Sequence, residues 1–131
     1  MVKLGYNILY VADVERAVVF YETAFGFQRK FITPEKDYAE LITGDTTLSF
    51  ASHGLANSNL RDGFMESNRL NPAFGIELGF VTDNVEETYA KALEAGAMEA
   101  EPPKQKPWGQ TVAYVRDLDG FLLEICSPMG D

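Results

Sequence analysis

Two stretches of the chain repeat one pattern of apolar and polar positions. In the first, Val14, Ala17, Val18 and Tyr21 fall at i, i+3, i+4 and i+7, the spacing that lines one face of a helix. Val85, Thr88, Tyr89 and Ala92 repeat it. Asp13 and Asp83 precede the two stretches and are the expected N-caps. Glu86 stands three residues after Asp83, as in a capping box. Gly26 and Gly96 follow, where a left-handed residue closes a helix most readily. The two Asp residues are 70 positions apart, and so are the two Gly residues. The spacing is therefore an internal repeat.

Apolar strands flank each helix. The pattern predicts strands over Tyr6–Val11, Phe27–Ile32, Tyr38–Thr43 and Thr46–Ser52, the last two joined by a turn at Gly44-Asp45. In the second half it predicts Gly75–Val81, Ala97–Ala100, Thr111–Arg116 and Phe121–Cys126, with a hairpin turn at Asp117-Leu118-Asp119-Gly120. Each half reads βαβββ, an α+β class of two tandem modules, residues 1–52 and 74–131, joined by residues 53–73. That connection is either a plain linker, the preferred reading, or a lid whose Phe64 and Met65 close over a pocket. Residues 101–109, with three prolines, are expected to form a stiff loop.

A length of 131 residues suits a single domain built from both modules. The balance of 11 basic and 20 acidic residues gives a net charge of −9. That charge argues against nucleic acid as a partner, because such binding rests on Lys and Arg meeting phosphates. No apolar run approaches the ~20 residues that cross a bilayer, so no membrane association is expected. With one cysteine, Cys126, no disulfide framework can form within the chain. Together with the absence of an export signal at the start, this leads to a cytoplasmic expectation. His53 is the sole histidine, which excludes any single-chain metal site needing two.

Two segments carry a family likeness. Tyr10-Val11-Ala12-Asp13 followed by Ala17 to Gly26, and Tyr114-Val115-Arg116-Asp117-Leu118-Asp119-Gly120 running on to Glu124-Ile125, resemble the vicinal oxygen chelate superfamily. Glyoxalase I, the bleomycin- and fosfomycin-resistance proteins and the extradiol dioxygenases belong to it. The resemblance spans almost the whole chain, with Leu118 where the family usually has Pro. It implies curved sheets around a shared cavity, a small-molecule ligand or substrate, and a homodimer.

In metal-using members, the first and last strands of each module supply the ligands. The matching positions here are Tyr6, Ser49, Glu77 and Glu124, so two carboxylates stand without the usual histidines. Strand alternation sets Glu77 opposite Leu78 and Phe80, and Glu124 opposite Leu123 and Ile125. Three readings stay open for the pair. It binds a divalent metal with a third ligand from Tyr6, Ser49 or His53; it lines a metal-free pocket for a cationic ligand; or it is held by neighbours and has no function. The metal-free reading is preferred, so no cofactor is expected, with a divalent metal as the alternative. Glu124 would then be the catalytic carboxylate of a glyoxalase I-like lyase, and whether the chain is an enzyme stays open. Tyr114, Trp108 and Gln110 complete the expected ligand-binding set, with Trp108 and Gln110 at a cavity mouth as the resemblance implies. His53, ending a strand, reads as an exposed side chain, and Cys126 as an inert thiol.

Overall fold

A computed structural model describes residues 1–129. The order of elements is β1 (Tyr6–Val11), α1 (Val14–Phe25), β2 (Gln28–Ile32), β3 (Tyr38–Ile42), β4 (Thr47–Ser52), α2 (His53–Asn59), β5 (Glu77–Val81), α3 (Val85–Glu94), β6 (Met98–Gln105), β7 (Thr111–Arg116) and β8 (Leu122–Cys126). The strands form two four-stranded sheets, ordered β1-β4-β3-β2 and β5-β8-β7-β6. In each sheet the first and last strands of a repeat run parallel and the remaining pairs antiparallel. The chain divides into two compact units. One is Met1–Glu22 with Gly26–Glu66, and the other is Thr23–Phe25 with the chain from Ser67 onward. Among the described residues no helix is long and apolar enough to cross a membrane.

In the first unit, Asp13 caps α1 as expected: its Oδ1 accepts from the Arg16 N–H at 3.0 Å. Gly26 closes the helix at φ 72°, and its N–H reaches the Glu22 carbonyl. The apolar face of α1 is sealed, with Val14, Ala17, Val18 and Tyr21 at most 3% exposed. Tyr21 packs on Phe50 of β4, ring centroids 5.1 Å apart. This fixes the helix against the sheet face that carries Phe50. Alternation then leaves Tyr6, Ile8, Thr47, Ser49, Tyr38 and Glu40 on the opposite face.

In the second unit, α3 packs against β6, β7 and β8. Ala113, Val115, Leu123 and Ile125 are fully buried on one face. Glu77, Glu124 and Tyr114 lie on the other face. The cap of α3 corrects the sequence expectation. Asn84, not Asp83, is the N-cap. Its Oδ1 accepts from the Glu87 N–H at 3.1 Å, and Glu87, not Glu86, answers through a 2.9 Å bond from Asn84 Nδ2. Asp and Asn both cap well, so the pattern alone could not separate neighbouring candidates.

Two loop expectations are also corrected. Residues 53–59, read as part of a linker, form α2, capped by Ser52, whose hydroxyl accepts from the Leu55 N–H at 3.0 Å. Helix α2 packs against β1 and β4. His53 therefore opens a helix, and its side chain is only 22% exposed. The stiff loop expected at 101–109 is shorter, because β6 runs on to Gln105 through Pro102 and Pro103. Its pairing with β7 slips there, between Glu101 and Lys104, and a strand tolerates prolines at such an irregularity. Conversely β5 begins at Glu77, two residues later than expected.

The connection ahead of β5 is tied to the β7–β8 hairpin by arginines. Arg116 is 8% exposed. Its Nε donates to the Gly120 carbonyl at 2.9 Å and its Nη2 to the Asn68 carbonyl at 3.0 Å. Arg69 donates to the carbonyls of Asp117 and Gly96. The hairpin turn is closed by Asp117, whose Oδ1 accepts from the N–H groups of Asp119 and Phe121, each at 2.9 Å.

Candidate functional site

Strand register brings the matched positions together within each unit. Ser49 lies opposite Ile8, two residues past Tyr6, and Glu124 lies opposite Gly79, two residues past Glu77. Tyr6 and Ser49 of the first sheet thus occupy the places that Glu77 and Glu124 hold in the second. Across β3 and β7 the correspondence continues: Glu40 pairs with Ser49 as Tyr114 pairs with Glu124.

In the second unit, Glu77, Glu124 and Tyr114 form one hydrogen-bonded cluster. The Tyr114 hydroxyl donates to Glu124 Oε1 at 2.9 Å. Glu77 is exposed, and Glu124 is half-buried. The two carboxyls bear on each other's ionisation. Burial and then the hydrogen bond and charge of Glu124 hold Glu77 above the ordinary carboxylate range. Burial also works to raise Glu124, but hydrogen bonds from Glu77, Cys126 and Tyr114, with the charge of Lys106, outweigh it and hold Glu124 lower. The two ionisations are thus pushed apart, Glu77 upward and Glu124 downward, as happens when two carboxyls share a site. Burial, reinforced by Glu124, pushes the Tyr114 phenol up to about 12 and the Cys126 thiol up to about 11. Both stay protonated as donors at neutral pH. Cys126 is buried and is no nucleophile.

Trp108 and Gln110 sit in the β6–β7 turn. The indole is 61% exposed. Its Nε1 donates to Gln110 Oε1 at 2.8 Å, and Gln110 Nε2 donates in turn to the Ser127 carbonyl at 2.8 Å. Gln110 is therefore a brace that pins the Trp108 ring to the chain following β8. Sequence reasoning missed Lys106 in this turn, whose ammonium favours the charged form of Glu124. Only the hairpin register could have pointed to it.

The first unit holds a different set. Ser49 is fully buried. Its hydroxyl has no hydrogen-bond partner among the described residues, and burial, chiefly, with Glu40 holds the Tyr38 phenol above its ordinary range. The Tyr38 hydroxyl donates to Glu40 Oε2 at 2.8 Å. Glu40, missed in the sequence, shares a face with Tyr38 by simple alternation. Tyr6 is 55% exposed and lines a cavity of about 190 Å³ with Lys3, Lys30, Glu40, Asp45 and Thr47.

His53 belongs to neither cluster. Its Nδ1 lies 3.6 Å from Glu66 Oε2, and its ring packs 5.6 Å from that of Phe64. Phe64 also packs edge-on against Tyr10 at 4.8 Å, whereas Met65 is 78% exposed. Phe121 contacts Phe74 at 6.2 Å. Tyr10 and Phe121 thus have ring partners of their own.

The donors around Glu77 and Glu124 do not fit a resident divalent ion. They amount to two carboxyls beside a protonated thiol and phenol. Among the described residues no three His, Cys, Asp or Glu side chains gather in a metal-holding group. A divalent site wants three or more deprotonated protein ligands with supporting partners.

Comparison with known proteins agrees with this architecture. An uncharacterized protein of Bacillus subtilis (strain 168), YraH, is 30% identical over 125 residues, covering 89% of this chain and 91% of its own length. Lactoylglutathione lyase GLX1 of Arabidopsis thaliana is 29% identical over 124 residues, 88% of this chain, and the chain spans only 40% of that enzyme's length. The crystal structure of a glyoxalase-related enzyme from Fulvimarina pelagi shares the fold, with a TM-score of 0.84 at 19% identity over 98% of this chain and 89% of that one. The model of the Glyoxalase/Bleomycin resistance protein/Dioxygenase superfamily matches residues 3–125. With two βαβββ repeats in register and a family match over nearly its full length, the chain belongs to the Glyoxalase/Bleomycin resistance protein/Dioxygenase superfamily.

Proposed function

We propose that the protein binds a small organic cation, aromatic in part, at the Glu77–Glu124–Tyr114 cluster, without metal chemistry. The observation that carries this is the exposed carboxyl of Glu77 coupled to Glu124, whose charge is held in place by Tyr114. An ammonium group gains two carboxylate acceptors there, and charge-assisted hydrogen bonds are about twice as strong as neutral ones. Trp108 offers an exposed ring face for the ligand's organic part or its charge. The chain's net charge of −9 favours approach of a cation over an anion. Gln110, which braces Trp108, and Tyr6 and Ser49, which hold the corresponding positions in the first unit, are the remaining expected ligand-binding residues. We further propose a homodimer, a single glyoxalase-like domain over residues 1–131, and a cytoplasmic setting that suits the free, buried Cys126.

The test is calorimetric titration of phenethylammonium and of phenylacetate at low salt. Saturable binding of the cation, weakened at least about tenfold by Glu124→Gln, is expected. Preference for the anion, or an unchanged affinity in Glu124→Gln, overturns the proposal. A second reading, a divalent-metal lyase, draws support from the similarity to lactoylglutathione lyase. It would use Glu77 and Glu124 as ligands, with Glu124 the catalytic residue. The donor set speaks against it. Stoichiometric Mn²⁺ or Zn²⁺ uptake that is lost in Glu124→Gln would restore it.

A further inference from the structure

The face of the first sheet that bears Tyr6, Ser49 and Glu40 carries a second set of charged groups, none of them shared with the Glu77 cluster. The cavity of about 190 Å³ there brings together two cations, Lys3 and Lys30, and two anions, Glu40 and Asp45. They come from separate places: the segment before β1, strands β2 and β3, and the β3–β4 turn. Glu40 is the anchor. It is 8% exposed, and Tyr38 satisfies its Oε2. Its Oε1 meets Lys30 Nζ only at 3.7 Å, outside hydrogen-bonding reach. A carboxylate has room for about four donors, and a buried one gains from each. Lys30 is 59% exposed along its side chain and free to swing toward a ligand.

The balance of charge selects the ligand. A simple anion in this cavity meets Glu40 and Asp45 at close quarters, and a simple cation meets Lys3 and Lys30. A molecule carrying both charges compensates both sets. The cavity is smaller than the ~300–1,000 Å³ of sites for drug-sized ligands, which limits the occupant to about the size of one amino acid. We propose that this cavity binds a small zwitterion of the α-amino acid type, its ammonium on Glu40 and its carboxylate on Lys30 and Lys3. The proposal is independent of the cation site in the second unit and stands or falls separately from it.

Titration with L-leucine, L-leucinamide and N-acetyl-L-leucine, followed by calorimetry and by NMR shifts, tests it. L-leucine is expected to bind saturably, and each singly charged analogue at least about tenfold more weakly. Glu40→Gln and Lys30→Met each lower L-leucine affinity about tenfold or more. Lys36→Met, which removes only a surface ion pair with Glu15, leaves it unchanged. Because Lys30 lies on the surface, its variant keeps the test decisive even if Glu40→Gln folds poorly. Equal binding of the three compounds, no saturation by about 10 mM L-leucine, or full affinity in Lys30→Met overturns the proposal.

Discussion

Gly120→Ala is the sharpest probe of how the β7–β8 hairpin is held. Gly120 has φ 91°, a left-handed backbone that costs a residue with a Cβ about 1–2 kcal/mol. A Cβ there would also lie 2.6 Å from the backbone carbon and oxygen of Asn68 and 2.9 Å from Arg116 Nη2. Backbone atoms cannot swing aside as a side chain can, and overpacking of this kind costs about 1–3 kcal/mol. Together the two effects give roughly 2–5 kcal/mol. At about 4 °C per kcal/mol for a chain of this size, the midpoint should fall by roughly 8–20 °C. Thermal unfolding followed by circular dichroism measures it. A midpoint within about 2 °C of the wild type would refute the reasoning, since it would mean that residues 67–70 move away from the hairpin at little cost.

The remaining predictions concern the helix cap and the carboxyl pair. Asn84→Ala should cost about 1 kcal/mol and Asp83→Ala almost nothing in urea unfolding, because only Asn84 accepts from an N–H of the first helical turn. Glu77 is held above its ordinary value of 4.5, so its contribution to stability is present below that value and is lost as pH rises through the folded pKa. Glu77→Gln should therefore gain on the wild type as pH rises from about 4.5 to 7, seen as converging or crossing midpoints; parallel curves would contradict it. Glu124 is held lower partly by the Tyr114 hydroxyl, so Tyr114→Phe should shift the Glu124 carboxyl titration upward in a carbon-13 NMR experiment.

Much of this molecule was legible in the sequence, for physical reasons. The 3.6-residue spacing through Val14, Ala17, Val18 and Tyr21 marks a buried helix face, and those residues are buried. The period of two placed Glu124 opposite Leu123 and Ile125, and both of these are fully buried. Helix α2 stayed hidden because His-Gly-Leu-Ala-Asn-Ser-Asn is short, sets Leu55 and Ala56 among Gly, Asn and Ser, and has no apolar stripe, so only its Ser52 cap hints at it. Glu77 is exposed and Glu124 half-buried on the same face, because a strand's period alone does not say how deeply a face is covered. Glu40 and Lys106 went unnoticed because their roles arise from pairing across strands and turns, which no local pattern encodes.

The central claim is that a ligand cation sits on the Glu77–Glu124 pair. Calorimetric titration of phenethylammonium near pH 5, in two buffers of different ionisation enthalpy, counts the protons exchanged on binding. Glu77 is held above the ordinary range, so an incoming ammonium, which favours its charged form, should lower its pKa and drive protons off. Net release of protons is expected, and it should vanish in Glu77→Gln. Saturable binding with no proton released, or with protons taken up, would contradict it.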